Sequence, residues 1–271
     1  MPPANVRCDE QSASTADRGM ANVSSDRADR VVAAINDLAR AEGTPVSVRH
    51  VCQACANALH ASGVALYVIG DLGLGEPVHA TNPVSERVAE LQVTLGEGPA
   101  VRALADVHPV AAPDLSNRQA QRDWPIFAAQ VWSMGIRATF AYPLAMGAIA
   151  VGTLEIHRVV PGGLSAAERI DALLYADVAM HLILDRVHDV PTRAEHELFA
   201  SEFGMRWAGV HQAAGMVSVQ LDTDLVTAFL RLRAYAFSTG RRLSAVADDV
   251  VDRKLRFVPD PTGDAGPETY P

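Results

Sequence analysis

The stretch Gly135–Arg158, GIRATFAYPLAMGAIAVGTLEIHR, decides how this chain folds. β-Branched and aromatic residues recur through Ile136–Leu144 and again through Ile149–His157, the composition of paired strands. Between them Ala145-Met146-Gly147-Ala148 makes the turn of a β-hairpin. Working outward, Val64–Gly70 (VALYVIG) reads as a buried strand, Asp71–Gly75 as a loop and Val78–Thr81 as a short second strand. His108–Ala112 supplies a further strand. Helical periodicity marks Arg27–Ala41, Ser47–Ala61, the region near Ser85–Val93, a short turn after Pro99, and Arg122–Met134. Ser165–Val187 is a long helix opened by Ser165 with Glu168 three places on, the spacing of a capping box. Strands that neighbour in sequence, with helices before and after them, predict an α+β domain on an antiparallel sheet.

The last fifth of the chain has a different pattern. In His211–Arg256, Leu225, Ala228, Phe229, Leu232 and Ala236 fall on one helical stripe, with Asp224 as N-cap and Ser238-Thr239-Gly240 as the stop. Leu243, Val246, Ala247, Val250 and Val251 repeat the period, and Leu255 extends it. A preceding helix carries Trp207, Val210, Ala213, Ala214 and Val217 on a broader apolar face. Three such helices bury one another as an antiparallel cluster, helped by a second copy. The implied layout is a polar, disordered tail over 1–26, a sheet domain over 27–188, a joint at Pro191, a helical module over 194–257 and a flexible tail over 258–271.

No apolar run approaches the roughly 20 residues a membrane span needs. The polar N-terminus lacks a signal core, so the expected location is the cytoplasm. The formal net charge of −9 argues against a polyanionic partner until the chain is divided. Residues 1–190 hold 14 basic and 21 acidic side chains, whereas 191–258 hold nine and eight. Phosphate affinity of the near-neutral helical module must therefore rest on shape and a few placed contacts.

The C-terminal residues resemble the ANTAR family of RNA-binding modules from bacterial antitermination regulators. The resemblance lies in Gln212-Ala213 with Gly215-Met216, in Ala228 with Leu232-Arg233 and Ala236, and in Arg242-Leu243, Val246-Ala247 and Val250-Val251. Residues 30–185 resemble a GAF domain through LGEGPAVRAL (Leu95–Leu104), Pro113-Asp114-Leu115, Trp124-Pro125-Ile126-Phe127, the hairpin, and Pro161–Ser165. The pair implies a GAF-like antiparallel sheet flanked by helices, then an all-α ANTAR module, in a signal-responsive homodimer. Such a regulator binds tandem RNA hairpins to control transcription termination. On that resemblance Gln212, Ala213, Gly215, Met216, Arg233, Tyr235, Arg241 and Arg242 face RNA: guanidinium groups meet phosphate or guanine, and Tyr235 stacks a base. A small molecule in the GAF domain would contact Tyr67, Trp124, Phe127 and Phe140; its identity, and any cofactor, stay unknown.

Plainer readings stand beside these. The alanines and Leu232 are helix-contact residues, Gly215 serves tight packing, and Arg233 pairs with Asp248 or Asp249. Trp124 and Phe127 are core unless they line a pocket. Cys52 and Cys55 form a C-x-x-C, here within a helix and with no second pair, so small buried hydrophobes suffice and a redox role stays open. His79, His108 and His157 flank strands as haem-ligand candidates or as hydrogen-bonded histidines. No nucleophile elbow, phosphate loop or zinc spacing occurs, so no enzyme is expected. An aspartyl-phosphate receiver needs a lysine in the N-terminal domain, and the single lysine is Lys254. The alternative to RNA binding is that the three helices serve protein interaction or dimerisation.

Overall fold

The computed structural model describes residues 10–70, 75–188, 202–258 and 266–269, with side chains over 26–70, 75–185 and 207–258. The Asp71–Leu74 part of the expected loop and the joint at Pro191 lie outside the described residues. Five strands, β1 (Gly63–Ile69), β2 (Gly75–Ala80), β3 (Val110–Ala112), β4 (Ala138–Met146) and β5 (Ile149–Arg158), form one antiparallel sheet in the order β2-β1-β5-β4-β3. The expected hairpin is present and pairs from Ala138↔Arg158 to Met146↔Ile149, with a register shift between Leu144 and Ala145. Ala145 and Met146 belong to β4, so the turn is Gly147-Ala148 rather than Ala145–Ala148.

Alternation in the strands gives the sheet two different faces. Val64, Leu66, Phe140, Tyr142, Leu144, Leu154 and Ile156 point to one side, where α2 (Val48–Ala58) and α7 (Ala166–His188) cover them and α1 (Glu10–Glu42) packs against those two helices. Helix α1 begins inside the stretch read above as a tail. The α7 capping box is present: the Ser165 amide donates to Glu168 and the Glu168 amide to Ser165 Oγ. On the other side Ala65, Tyr67, Thr139, Ala141, Thr153, Glu155 and His157 lie under α3 (Pro83–Leu95) and α4 (Pro99–Asp106). The short alanines let these helices approach closely.

The helix expected over Arg122–Met134 is two helices, α5 (Arg118–Asp123) and α6 (Pro125–Ser133). Proline disfavours helical backbone in the residue before it, and Trp124 accordingly adopts φ −141° and ψ 70°.

The C-terminal trio consists of α8 (Glu202–Leu221), α9 (Leu225–Thr239) and α10 (Leu243–Val251). Asp224 caps α9, accepting from the Thr227 amide and hydroxyl, and Gly240 ends it at φ +64°. Leu225 is half exposed rather than part of the core stripe. Leu255 does not extend α10; a turn at Asp252–Lys254, with Arg253 at φ +61°, ends the helix. Leu255 instead opens β6 (Leu255–Val258), which pairs with β7 (Gly266–Thr269) inside the segment expected to be a flexible tail. The trio does not stand apart from the sheet domain. Trp207, Val210, Val217 and Leu232 share one buried cluster with Ala65, Tyr67, Val93 and Ala103.

Candidate functional site

Between the second face of the sheet and α3–α4 lies a cavity of about 270 Å³. Its walls are largely apolar, with Ile69, Val93, Val101 and Leu104 prominent. Tyr67, Gln92 and Thr153 form the polar part of the sheet-domain wall. One wall residue, Arg233, comes from α9 of the C-terminal trio.

The backbone around the cavity is set by the sequence Gly96-Glu97-Gly98-Pro99. Gly96 ends α3 at φ +71°, and Gly98 sits at φ +136° where a Cβ would meet the Gln92 side chain. Both conformations favour glycine. Pro99 then starts α4 without wasting an N–H. Glu97 reaches sideways to accept from the Ile126 and Phe127 amides at 3.0 and 2.8 Å, capping α6.

Beneath the cavity runs a buried polar network. Tyr67 Oη donates to Glu155 Oε2 at 2.9 Å, and Gln92 Nε2 donates to both Tyr67 Oη and Glu155 Oε2. Gln92 Oε1 in turn accepts from the Ala100 amide at the start of α4. Burial, reinforced by Glu155, pushes the Tyr67 phenol well above its ordinary range. His157 Nδ1 lies 2.9 Å from Ser85 Oγ, and its Nε2 is 3.1 Å from Glu155 Oε2 but misaligned for a hydrogen bond. Ser85, His157 and Glu155 thus assemble the residue types of a hydrolytic triad. Ser85 is 1% exposed and the other two are fully buried, so no substrate reaches the hydroxyl in this arrangement. The three tie α3 to β5.

Helix α3 faces two ways. Gln92 and Val93 serve the cavity, while Glu86, Glu90 and Thr94 hold the C-terminal trio. Arg242 donates to Glu90 Oε2 through Nε at 2.6 Å and to Glu86 Oε1 at 3.0 Å. Glu90 Oε1 accepts from the Ser244 amide at 2.7 Å, capping α10, whose own N-cap residue Arg242 makes no side-chain cap. His211 Nε2 lies 2.7 Å from Glu76 Oε2 on β2. Arg233 Nε donates to the Thr94 carbonyl at 3.2 Å, in the last turn of α3, where the helix dipole favours a cation. Partial burial draws its guanidinium below the ordinary value.

The arginines expected to face RNA make contacts within the chain. Arg233 and Arg242 are turned onto α3, and Arg241 pairs with Asp249 at 2.6 Å. Asp249, named above with Asp248 as a partner for Arg233, pairs instead with Arg241. Tyr235 packs edge-on against Phe257, ring centres 5.7 Å apart. Ala213 is buried and Met216 is half-buried against the same core, while Gln212 is exposed. A Cβ at Gly215 would meet nothing within 4 Å, so close packing does not require glycine there.

Of the four pocket residues named from sequence, Tyr67 lines the cavity. Trp124 and Phe127 belong to a separate core with Ala112, Leu115 and Val131, and Phe140 lies on the opposite face of the sheet. Arg233 is the cavity residue that the sequence reading gave another task. Cys52 and Cys55 are free and fully buried, which pushes Cys52 up to about 12 and Cys55 well above its ordinary value. Among the described residues no group of three or more His, Cys, Asp or Glu side chains could hold a metal. His157 is buried, His108 is exposed, and burial, with Arg49 and His50 nearby, draws His79 down to about 4. No helix among the described residues is long and apolar enough to cross a membrane.

No protein-family profile and no curated protein matches the chain. Solved structures similar to it include the GAF domain of an Acinetobacter phosphoenolpyruvate-protein phosphotransferase, at 16% identity and a TM-score of 0.45, covering 64% of this chain and 98% of that one. The GAF domain of a phosphoenolpyruvate-protein phosphotransferase from Coxiella burnetii is similar at 13% identity and a TM-score of 0.42, covering 60% and 97%. The photoproduct state of GAF3 from Slr1393 of Synechocystis sp. PCC6803 is similar at 18% and 0.37, covering 52% and 96%.

Proposed function

We propose that this chain is a signal-responsive, non-catalytic regulator. Its sheet domain binds a small molecule in the cavity, and its C-terminal trio is the output, binding RNA hairpins once it leaves the sheet domain. The observation that carries the reading is the double duty of α3: one helix walls the cavity with Gln92 and Val93 and holds the output with Glu86, Glu90 and Thr94. A ligand that shifts α3 changes the free energy of holding the trio, which is what coupling between two sites requires. The RNA assignment of the output is supported by the resemblance of Gln212–Met216, Leu232-Arg233 and Arg242–Val251 to ANTAR modules. The docked arrangement is then the RNA-incompetent one, because Arg233 and Arg242 are occupied.

The full-length chain and its Glu86→Gln/Glu90→Gln variant, titrated with tandem hexanucleotide-loop hairpins, test the reading. The variant binds at least tenfold more tightly than the parent, with an affinity that falls as salt rises, and adding Arg242→Ala abolishes the gain. Absence of any hairpin preference in both proteins at every salt concentration rejects RNA as the target.

A second reading is favoured by one specific observation. Val219, Leu225, Val226, Leu230 and Phe237 are exposed on α8 and α9, with Val219 at 84%. Apolar side chains of that size suit a protein partner or a second copy of the chain. In that case sedimentation shows a dimer that Leu230→Glu and Phe237→Glu dissociate, with no hairpin binding.

A further inference from the structure

We infer that the cavity takes a small molecule with one compact anionic group on an apolar body, and that Arg233, supplied by the output helices, is the residue that recognises the charge. The inference rests on the reading of this cavity as the sensing site and names the class of molecule sensed.

The side-chain polar groups of the sheet domain that face the space are already engaged with one another or with backbone. The Tyr67 hydroxyl is committed to Glu155 and Gln92. Both ends of the Gln92 amide are committed, the nitrogen to Tyr67 and Glu155 and the oxygen to the Ala100 amide. Thr153 Oγ1 points to the Ala100 carbonyl at 3.5 Å. Arg233 is different. A guanidinium carries five N–H donors, and one of them is used, on the Thr94 carbonyl. Among the described residues no carboxylate pairs with it, whereas Arg241 pairs with Asp249 and Arg242 with both Glu86 and Glu90. A partly buried arginine with donors left over and no counter-ion is an incomplete electrostatic arrangement. An anion in the cavity completes it, in the bidentate geometry that guanidinium offers to carboxylate, sulfonate or phosphate.

The remainder of the wall specifies the rest of the molecule. Ile69, Val101 and Leu104 offer apolar surface and no hydrogen-bond partner. Gly96 keeps the entrance to Arg233 clear, since a Cβ there would stand 2.2 Å from its Nη2. A ligand lying on the sheet domain while paired to Arg233 of α9 bridges the two parts of the chain. It therefore favours the docked state and opposes release of the output.

Two dyes of matched shape provide the probe: 1-anilinonaphthalene-8-sulfonate and its uncharged analogue N-phenyl-1-naphthylamine, each titrated into the full-length protein by fluorescence. The expected result is one sulfonate dye per chain, bound at least tenfold more tightly than the neutral dye. Arg233→Met lowers the affinity for the sulfonate at least tenfold and leaves the neutral dye within twofold, which also shows that the cavity survives the change. Arg233→Lys, which keeps the charge and loses the bidentate fork, binds the sulfonate more weakly than the parent and more tightly than Arg233→Met, and Leu104→Trp, which fills the space, removes both dyes. An unchanged preference in Arg233→Met, survival of sulfonate binding in Leu104→Trp, or no sulfonate binding by the parent overturns the inference. The titration contains no RNA, so its failure leaves the hairpin result standing, and a failed hairpin titration leaves the dye result standing.

Discussion

Glu90 of α3 accepts the Ser244 amide at 2.7 Å while its other oxygen accepts from Arg242, so a residue 154 positions upstream caps the last helix. The cap is needed because Arg242 stands at the N-cap of α10, where a short acceptor side chain is preferred. The buried carboxylate supplies that acceptor, and docking and helix formation become one event.

Glu90→Ala removes the cap and leaves Arg242 with the partly exposed Glu86 alone. Loss of a charge-assisted bond and a helix cap costs about 2–3 kcal/mol, read as a lowered urea midpoint. Glu86→Ala, acting on the solvent side of the same pair, costs less than about 1 kcal/mol. Equal effects of the two substitutions would contradict the capping role.

Tyr67→Phe keeps the ring and deletes the hydroxyl that joins Gln92 to Glu155. Glu155 Oε1 already lacks a partner, so the variant leaves a buried carboxylate with one donor fewer. A loss of about 1–3 kcal/mol is expected. Adding Gln92→Leu should give a double-mutant cycle with a clear coupling term, since the two side chains share one network.

The acid limb of stability is expected to depend on Glu168. The Ser165 amide, followed by the Arg158 guanidinium, holds its carboxyl at about 2 against an ordinary 4.5. A depressed folded-state value stabilises the protein above the unfolded value and stops doing so as pH falls. Glu168→Gln is therefore less stable than the parent at neutral pH, and the gap between their melting temperatures closes as pH drops from 4.5 towards 2. A gap that stays constant through that window would exclude the linkage.

Burial makes thiolate formation at Cys52 and Cys55 unfavourable. In a Cys8→Ser chain, 5,5′-dithiobis(2-nitrobenzoate) releases no chromophore from the native protein and two equivalents after denaturation. Reaction in the native state would reopen a redox role for the pair.

Much of the architecture was legible from local chemistry. The Gly135–Arg158 hairpin, the Ser165/Glu168 box, the Asp224 cap and the Gly240 stop depend on residues adjacent in sequence, and the structure holds all four. What local chemistry does not encode is the partner across space. Thr153, Glu155 and His157 alternate with apolar neighbours on β5 in the pattern of a solvent-facing edge, yet α3 and α4 bury all three. The arginines are a second case. Arg233, Arg241 and Arg242 look alike in sequence but go to a helix carbonyl, to Asp249 and to the Glu86–Glu90 pair. The broad apolar face of Trp207–Val217 was the available sign of docking, because it exceeds what two short helices can cover.

The two faces of α3 constrain its sequence in a way that neither face would alone. Glu86, Glu90 and Thr94 follow one another every four residues, while Gln92 and Val93 sit around the barrel from them. One inserted residue would rotate everything downstream by about 100°, removing Thr94 from Arg233 and Gln92 from Tyr67 in the same step. Changes in length here are thus expected to disrupt the cavity wall and the tether together, whereas loops elsewhere tolerate them. The helix is a shared axle: substitution can reshape the cavity wall or the docked face separately, but the phase between them is fixed.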